Sequence, residues 1–313
     1  MAHVPLVIIG GGPAGLASAI YAVRGGIDAR VIEKAAPGGQ VFITDRIENY
    51  PGFPEGISGP DLAERMRDQA KRLGADIVQD DVTGVDLSGE QKKVSLSRGE
   101  ELTCDALIIA TGSRPNQLGI PGEMEFWGRG VSYCATCDGN FFRGEPMAVI
   151  GGGDSAVQEA TMLANLASEV YIIHRRDQFR AQEYLSQCAQ EQSNIKVLWD
   201  TVVEEMEGDQ EVRSLKLKNT RTGESSSLEV SGVFIYVGVL PATEFLEGAV
   251  ELNEEGYIRA GEDGATSVSG VFAAGDVREK PARQIATAVG DAANTVKSIE
   301  IFFIRKGLSC KYV

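Results

Sequence analysis

Apolar residues come along this chain in short blocks, each closed by glycines and followed by a run with helical spacing. Val7-Ile8-Ile9 is unbroken and ends at Gly10-Gly11-Gly12. A short apolar run stopped by glycine predicts a strand buried on both faces. From Leu16 to Val23 the small and apolar residues recur at helical intervals, which predicts a helix with a buried face. Ala29 to Glu33 predicts the next strand. The same order then returns: Val149-Ile150 runs into Gly151-Gly152-Gly153, a helical run follows from Val157 to Leu166, and Glu169 to Ile173 is again a strand. The copies are offset by 141 residues, so the chain carries a strand–turn–helix–strand unit twice.

The intervening segments fit around these units. Ser58-Gly59-Pro60 opens a helix running to about Leu73, with Gly74 as its stop. Residues 75–104 alternate like a small antiparallel sheet, and Asp105 to Ala110 is an apolar strand ending in Thr111-Gly112. Residues 194–236 repeat this plan: short strands, then an apolar strand from Val233 to Val237 ending at Gly238. Gly270 to Asp276 adds another buried strand, and a long helical segment starts at about Pro281. Strands alternating with helices predict an α/β fold of two Rossmann-like three-layer nucleotide-binding domains, the second inserted into the first. The expected boundaries lie near Pro115 and Pro241, giving residues 1–115 with 242–313 as one domain and 116–241 as the other. Two short crossings, around 113–118 and 239–244, would form a hinge.

Bulk properties narrow the picture. A length of 313 residues suits two ordinary domains, and 43% hydrophobic with 24% charged content is globular. The 37 glycines exceed the typical ~7%, as expected where backbone must approach ligands closely. A net charge of −15 argues against binding nucleic acid or an anionic membrane through the global field. No apolar run approaches the ~18 residues of a membrane span. Met1 to Pro5 lacks the basic region of a signal peptide, so a cytoplasmic location is expected.

Against that acidic background the two glycine turns acquire chemistry. A lone G-x-G-x-x-G is a weak signal, but each copy here has a strand before it and a helix after it. The first uses Gly10, Gly12 and Gly15; in the second Ala156 stands in the third glycine's place after Gly151 and Gly153. Such turns leave room for a pyrophosphate at a helix N-terminus, where free N–H groups and the helix dipole attract anions. The ends of the second strands separate the two sites. Glu33 provides a carboxylate for ribose hydroxyls, so the first site reads as FAD or NAD. The position 141 residues later is His174, opening His174-Arg175-Arg176 with Arg180 beyond. Arg binds a phosphate with a fork of donors, so this cluster suits the 2′-phosphate of NADP; a solvated basic face is the plainer alternative.

The five cysteines are too sparse and odd in number for a disulfide framework. Cys104, Cys188 and Cys310 read as ordinary small side chains. Cys134 and Cys137, with two residues between them in Cys-Ala-Thr-Cys-Asp, can close a redox disulfide. A zinc site would need four ligands, and neither Cys188 nor the two histidines, His3 and His174, has the spacing to complete one, so no metal is expected. A dithiol, a reduced flavin and a hydride each carry two electrons, so the three centres match. Exchange with a partner disulfide leaves a thiolate to be protonated, and Asp138 is the local candidate donor; a helix N-cap is its plainer role.

At this point the chain resembles the low-molecular-weight thioredoxin reductases over almost its whole length. The resemblance rests on GGGPAG at 10–15, PGGQ at 37–40, IENYPGFPEGISGP at 47–60, ATG at 110–112 and CATCDG at 134–139. It continues in GGGDSA at 151–156, HRRDQFRA at 174–181, GVFAAGDV at 270–277 and RQ at 283–284. It implies FAD in the first domain, touching Gly10, Gly12, Pro13, Ala14 and Gly15, then Glu33, Gly39, Gln40 and Asn49. Val82, Thr111, Gly112, Asp276, Arg283, Gln284 and Ile285 complete that set, with Asp276 holding the ribitol. It implies NADPH in the inserted domain on Gly151, Gly153, Asp154, Ser155, His174, Arg175, Arg176, Arg180 and Gly238. It also implies that Cys137 faces the flavin, that Cys134 attacks thioredoxin, that the inserted domain rotates, and that the chain forms a homodimer through its FAD domains. The same chemistry toward a glutaredoxin-like or peroxidase partner, or a redox-sensing flavoprotein, stays open. Relatives linked to peroxidases carry an extra N-terminal disulfide domain, which is not expected where the fingerprint begins at Gly10. Departures are few: Asn140 after CATCDG, the variant helix start at 285–289, and a tail from Cys310 with no family role.

Overall fold

The computed structural model describes residues 2–44, 47–246 and 248–308; Cys310 and the tail after it lie outside them. The chain divides into two compact units, with breaks after Arg114 and after Val239.

In the first unit Leu6–Ile9, Ala29–Glu33, Asp76–Gln79, Ala106–Ile109 and Val271–Ala273 form a five-stranded parallel sheet. Its spatial order runs Val271–Ala273, Ala106–Ile109, Leu6–Ile9, Ala29–Glu33, Asp76–Gln79. The chain therefore leaves the sheet centre in one direction and later returns to fill the other side. The central strands Leu6–Ile9 and Ala106–Ile109 are buried at every position, as their unbroken apolar runs require. Helices Pro13–Arg24 and Ile285–Lys306 pack against each other, and Phe303 and Ile299 of the second join the cluster with Ile8, Ile20 and Ile108. A separate layer, Val82–Asp86, Lys92–Leu96 and Glu101–Cys104, is antiparallel, with Ala2–His3 added parallel at its edge.

The second unit repeats the plan. Pro146–Gly151, Glu169–Ile173, Ile195–Leu198 and Gly232–Tyr236 pair in parallel, and Val131–Ser132 takes the outer place beside Gly232–Tyr236. Thr201–Gly208, Val212–Asn219 and Ser225–Glu229 form its antiparallel layer. The two crossings, Ser113–Pro115 and Val239–Pro241, hydrogen-bond to each other.

Three local expectations change. Asp76–Gln79 and Ile195–Leu198 belong to the parallel sheets, not to the antiparallel layers their alternation suggested. Each is an edge strand with no fully buried residue, so it lacks the unbroken apolar run of the central strands. The last helix begins at Ile285, not near Pro281. Gln284 caps it, exchanging hydrogen bonds with Thr287, and that capping box fixes the start. Asp138 is not an N-cap through its side chain: it ends the short helix Ala135–Asp138, whose N-cap is Cys134.

Candidate functional site

In the first unit the strand ends bring the expected residues to one edge. Gly10 follows Leu6–Ile9, Glu33 ends Ala29–Glu33, Thr111 follows Ala106–Ile109, and Asp276 follows Val271–Ala273. In open parallel sheets, ligands bind at the carboxyl edge, at the point where strand order reverses. Leu6–Ile9 and Ala106–Ile109 flank that point. Gly12 caps the helix Pro13–Arg24 with extended backbone at φ −73°, so it needs no left-handed conformation. A Cβ there would meet nothing closer than the Gly39 Cα at 3.9 Å, so the fold itself leaves this space open. Gly15 is different: its Cβ would stand 1.8 Å from the Gly10 carbonyl oxygen.

Glu33 Oε2 accepts from the Gly11 N–H at 2.6 Å and Oε1 from the Ala35 N–H at 2.9 Å, which fixes the carboxylate beside the turn. Gln40 is exposed on the turn Gly39–Ile43, and Val82 is half-buried at the start of its strand. Asn49 Nδ2 donates to Gln284 Oε1 at 3.1 Å, so two residues distant in sequence meet. Thr111 Oγ1 donates to the Ala242 carbonyl at 2.7 Å, and the Gly112 carbonyl accepts from the Ala242 N–H at 3.0 Å. The Arg283 guanidinium lies 4.3 Å from the Tyr257 ring centroid, with its buried Nε unpartnered, and Ile285 opens the helix behind it.

Asp276 Oδ1 is buried without a hydrogen bond, although the Lys280 ammonium lies 3.7 Å away. Burial pushes this carboxyl above its usual range, against the pull of Lys280 and Arg283. An unmade buried hydrogen bond costs about 1–3 kcal/mol, so such an atom calls for a donor from outside the chain. The open space at Gly12 and the orphaned oxygen of Asp276 both fit a dinucleotide with free hydroxyls. Sequence reasoning missed what steadies Asp276. Lys280 Nζ bonds Asp291 Oδ2 at 2.8 Å, Arg278 Nη1 bonds Asp291 Oδ1 at 2.9 Å, and the Gly275 N–H also donates to Asp291 at 3.0 Å. An acid on the buried side of a helix was the available signal.

The second unit follows the same logic with different groups. Gly151 ends its strand, Gly153 caps the helix Asp154–Leu163, and a Cβ at Gly153 would meet only the Arg180 guanidinium at 4.0 Å. Gly238 follows the strand Gly232–Tyr236, its Cβ position 2.9 Å from Asn116 Nδ2. Asp154 accepts from the Gln182 backbone at 2.8 Å and side chain at 3.1 Å; Ser155 is exposed in the same first turn. Arg175, Arg176 and Arg180 are exposed, and no carboxylate lies within ion-pair distance of them among the described residues. His174 behaves otherwise. It is buried against the turn, so that a Cβ on Gly152 would lie 2.3 Å from its Nδ1, and its Nε2 has no partner. Burial pushes its pKa down, and the neighbouring Arg180, Arg176 and Arg175 add to that. His174 is therefore a neutral ring inside a cationic cluster, with Phe179 tilted beside it and Trp199 edge-on, each ring centroid 6.1 Å away.

The dithiol pair lies in this second unit. Cys134 and Cys137 form a disulfide with Cα atoms 5.3 Å apart, at the two ends of one helical turn. Both sulfur-bearing residues are half-buried. Three side chains from other elements hold the turn. Ser132 Oγ accepts from the Cys134 N–H at 3.0 Å and donates to Asp138 Oδ2 at 2.5 Å. The Tyr236 hydroxyl accepts from the Ala135 N–H at 2.7 Å. Thr136 Oγ1 lies 3.4 and 3.5 Å from the two Glu159 oxygens. Burial pushes the Glu159 carboxyl up, opposed by the Thr136 hydroxyl. Burial, and then the Glu159 charge, push the Tyr236 phenol well above its usual range, so it stays neutral. Ser132, Tyr236 and Glu159 were not found from sequence. Cys104 is fully buried, with its thiol pushed up to about 12, and is inert. Among the described residues no group of three His, Cys, Asp or Glu side chains could hold a metal ion.

Two glycine turns at parallel-sheet edges, with a redox disulfide in the second unit, define a nucleotide-linked disulfide oxidoreductase. Residues 4–292 match the pyridine nucleotide-disulphide oxidoreductase family. The thioredoxin reductase of Streptomyces coelicolor is 45% identical over 95% of this chain and 93% of its own length. That of Bacillus subtilis is 45% identical over 94% and 93%. The crystal structure of thioredoxin reductase from Streptococcus pyogenes superposes with a TM-score of 0.92 at 41% identity, covering 97% of this chain and 99% of the other. The chain thus belongs to the pyridine nucleotide-disulphide oxidoreductase family, among its thioredoxin reductases.

Proposed function

We propose that this chain reduces the disulfide of thioredoxin with electrons from NADPH, carried through FAD and the Cys134–Cys137 pair. The observation that carries the reading is the closed disulfide on a single helical turn, with a carboxyl group at the end of that turn. In the first unit Gly12, Glu33 and Asp276 would hold FAD, with Arg283, Gln284 and Asn49 along its length. In the second, Gly153 and Ser155 would take the pyrophosphate, and Arg175, Arg176 and Arg180 the 2′-phosphate. When bound, the two cofactors supply the electron pair that opens the disulfide.

The chain's own residues then do the exchange. The Cys134 thiolate attacks the partner disulfide, a mixed disulfide forms, and the departing partner thiolate takes the proton of the Asp138 carboxyl. Cys137 gives its proton to the Asp138 carboxylate and attacks Cys134, which re-forms the intramolecular disulfide. The second partner thiolate departs and takes its proton from solvent. The reading includes a homodimer through the FAD-binding unit and a cytoplasmic site of action, both drawn from the family. Among the described residues no helix is long and apolar enough to cross a membrane.

Anaerobic stopped-flow absorbance tests this function. NADPH should bleach the flavin band in the parent and in Cys137→Ser, while only the parent turns over thioredoxin. Turnover by the variant at the parental rate would refute the role of Cys137.

A further inference from the structure

We propose that Ser132 is a positioning residue for proton transfer at the dithiol, its hydroxyl holding Asp138 in both protonation states and tying it to the backbone of Cys134. The inference rests on the reading of Asp138 as the proton carrier. Ser132 lies on the strand Val131–Ser132 and is only 4% exposed, a polar side chain in a two-residue strand otherwise buried. Its oxygen has three neighbours: Asp138 Oδ2 at 2.5 Å, the Cys134 N–H at 3.0 Å and the Cys134 carbonyl at 3.4 Å. A hydroxyl has one hydrogen to give and two lone pairs to fill.

Those capacities match the two states of the acid. When Asp138 is a carboxylate, Ser132 donates to Oδ2 and accepts from the Cys134 N–H. When Asp138 is protonated, the carboxyl donates to Ser132, and the serine hydrogen turns to the Cys134 carbonyl. The Cys134 N–H remains bound throughout, so the proton can come and go without releasing the N-terminus of the redox turn. That N-terminus carries the sulfur that attacks the partner. Among the described residues, other titratable groups that bond to the turn include Tyr236, which receives the Ala135 N–H, and Glu159, which receives Thr136. Both the Glu159 and the Asp138 charges act on the Tyr236 phenol, so the three form one electrostatic cluster around the CxxC.

A hydrogen bond to the charged form is roughly twice as strong as one between neutral groups. Ser132 therefore favours the carboxylate on balance, and removing the hydroxyl raises the apparent pKa of Asp138. The test follows the pH dependence of kcat/KM for thioredoxin in the holoenzyme, with the alkylation rate of the reduced dithiol by iodoacetamide as a readout independent of turnover. On the reading of Asp138 as the acid, the parent's rate should fall on the alkaline side, where the carboxyl gives up its proton. In Ser132→Ala that limb should move up by about one pH unit. Ser132→Thr keeps the hydroxyl and should return the limb to its parental place, and the alkylation profile should shift in parallel. An unmoved limb in Ser132→Ala, or an equal slowing at every pH, would leave Ser132 a packing residue and overturn the proposal. A shift in Ser132→Thr as large as in Ser132→Ala would overturn it too. Asp138→Asn separates the two ideas: if the limb survives in that variant, Asp138 is not the acid and the underlying reading fails first.

Discussion

At the end of the second strand in each unit stands one residue that faces the glycine turn, and the two residues there do opposite things. Glu33 presents an acidic side chain, and the turn holds it through the Gly11 N–H at 2.6 Å. His174 is buried and neutral, packed under Gly152, and it holds the turn by shape. Positive charge at the second site therefore comes from the exposed Arg175, Arg176 and Arg180, while His174 orients the backbone that carries them. These guanidiniums have no carboxylate in range among the described residues, in a chain whose net charge is −15. Unsatisfied forks of this kind suit a 2′-phosphate. Replacing all three with Gln should raise the KM for NADPH by about 100-fold, since three exposed charged contacts at up to about 1 kcal/mol each total about 3 kcal/mol. The KM for NADH should change by less than about threefold, because that cofactor lacks the phosphate. Equal changes in steady-state kinetics with both cofactors would mean that the cluster reads only the shared part of the nucleotide.

At the scale of elements, the glycines sort into those the fold requires and those it does not. A Cβ on Gly15 would collide with the Gly10 carbonyl at 1.8 Å, so the helix can approach the strand only with glycine there. Gly12, with an ordinary φ and open space around it, is needed by nothing in the chain. Gly15→Ala should therefore destabilise the apoprotein by about 1–3 kcal/mol through forced displacement. Gly12→Ala should leave apoprotein stability close to the parent's and weaken FAD binding by about 10- to 100-fold, as the methyl group displaces a phosphate from the helix N-terminus. Thermal melts of apoprotein and flavin titrations check the pair; a Gly12→Ala apoprotein as unstable as Gly15→Ala would mean the open space is structural. The glycine turns, the CxxC and the exchange of Glu33 for His174 were legible because each is a local pattern repeated at a fixed offset. The supports were not. Tyr236 reaches Ala135 across 101 residues of sequence, and Asn49 reaches Gln284 across 235. Such contacts exist only once the sheet order brings distant strands together. The edge strands Asp76–Gln79 and Ile195–Leu198 misled for a related reason, because at a sheet edge, with no fully buried residue, a parallel strand lacks the continuous apolar run that marks the central ones.

At the scale of the whole molecule, each unit brings its own two-electron centre to the reaction. The first has the edge that could hold a flavin, and the second has the disulfide together with a glycine turn that could hold a nicotinamide nucleotide. If both centres work in one electron path, the anaerobic holoenzyme must store an electron pair in each. Dithionite titration should then consume four electrons per chain in the parent, two entering the disulfide and two the flavin. Cys137→Ser, which cannot close the disulfide, should consume two. Counting free thiols at each point gives an independent reading, since Cys134 and Cys137 should become reactive while buried Cys104 does not. A parent that stops at two electrons with its disulfide intact would mean that flavin and dithiol are not connected, and that the pair in the second unit closes the chain without carrying current.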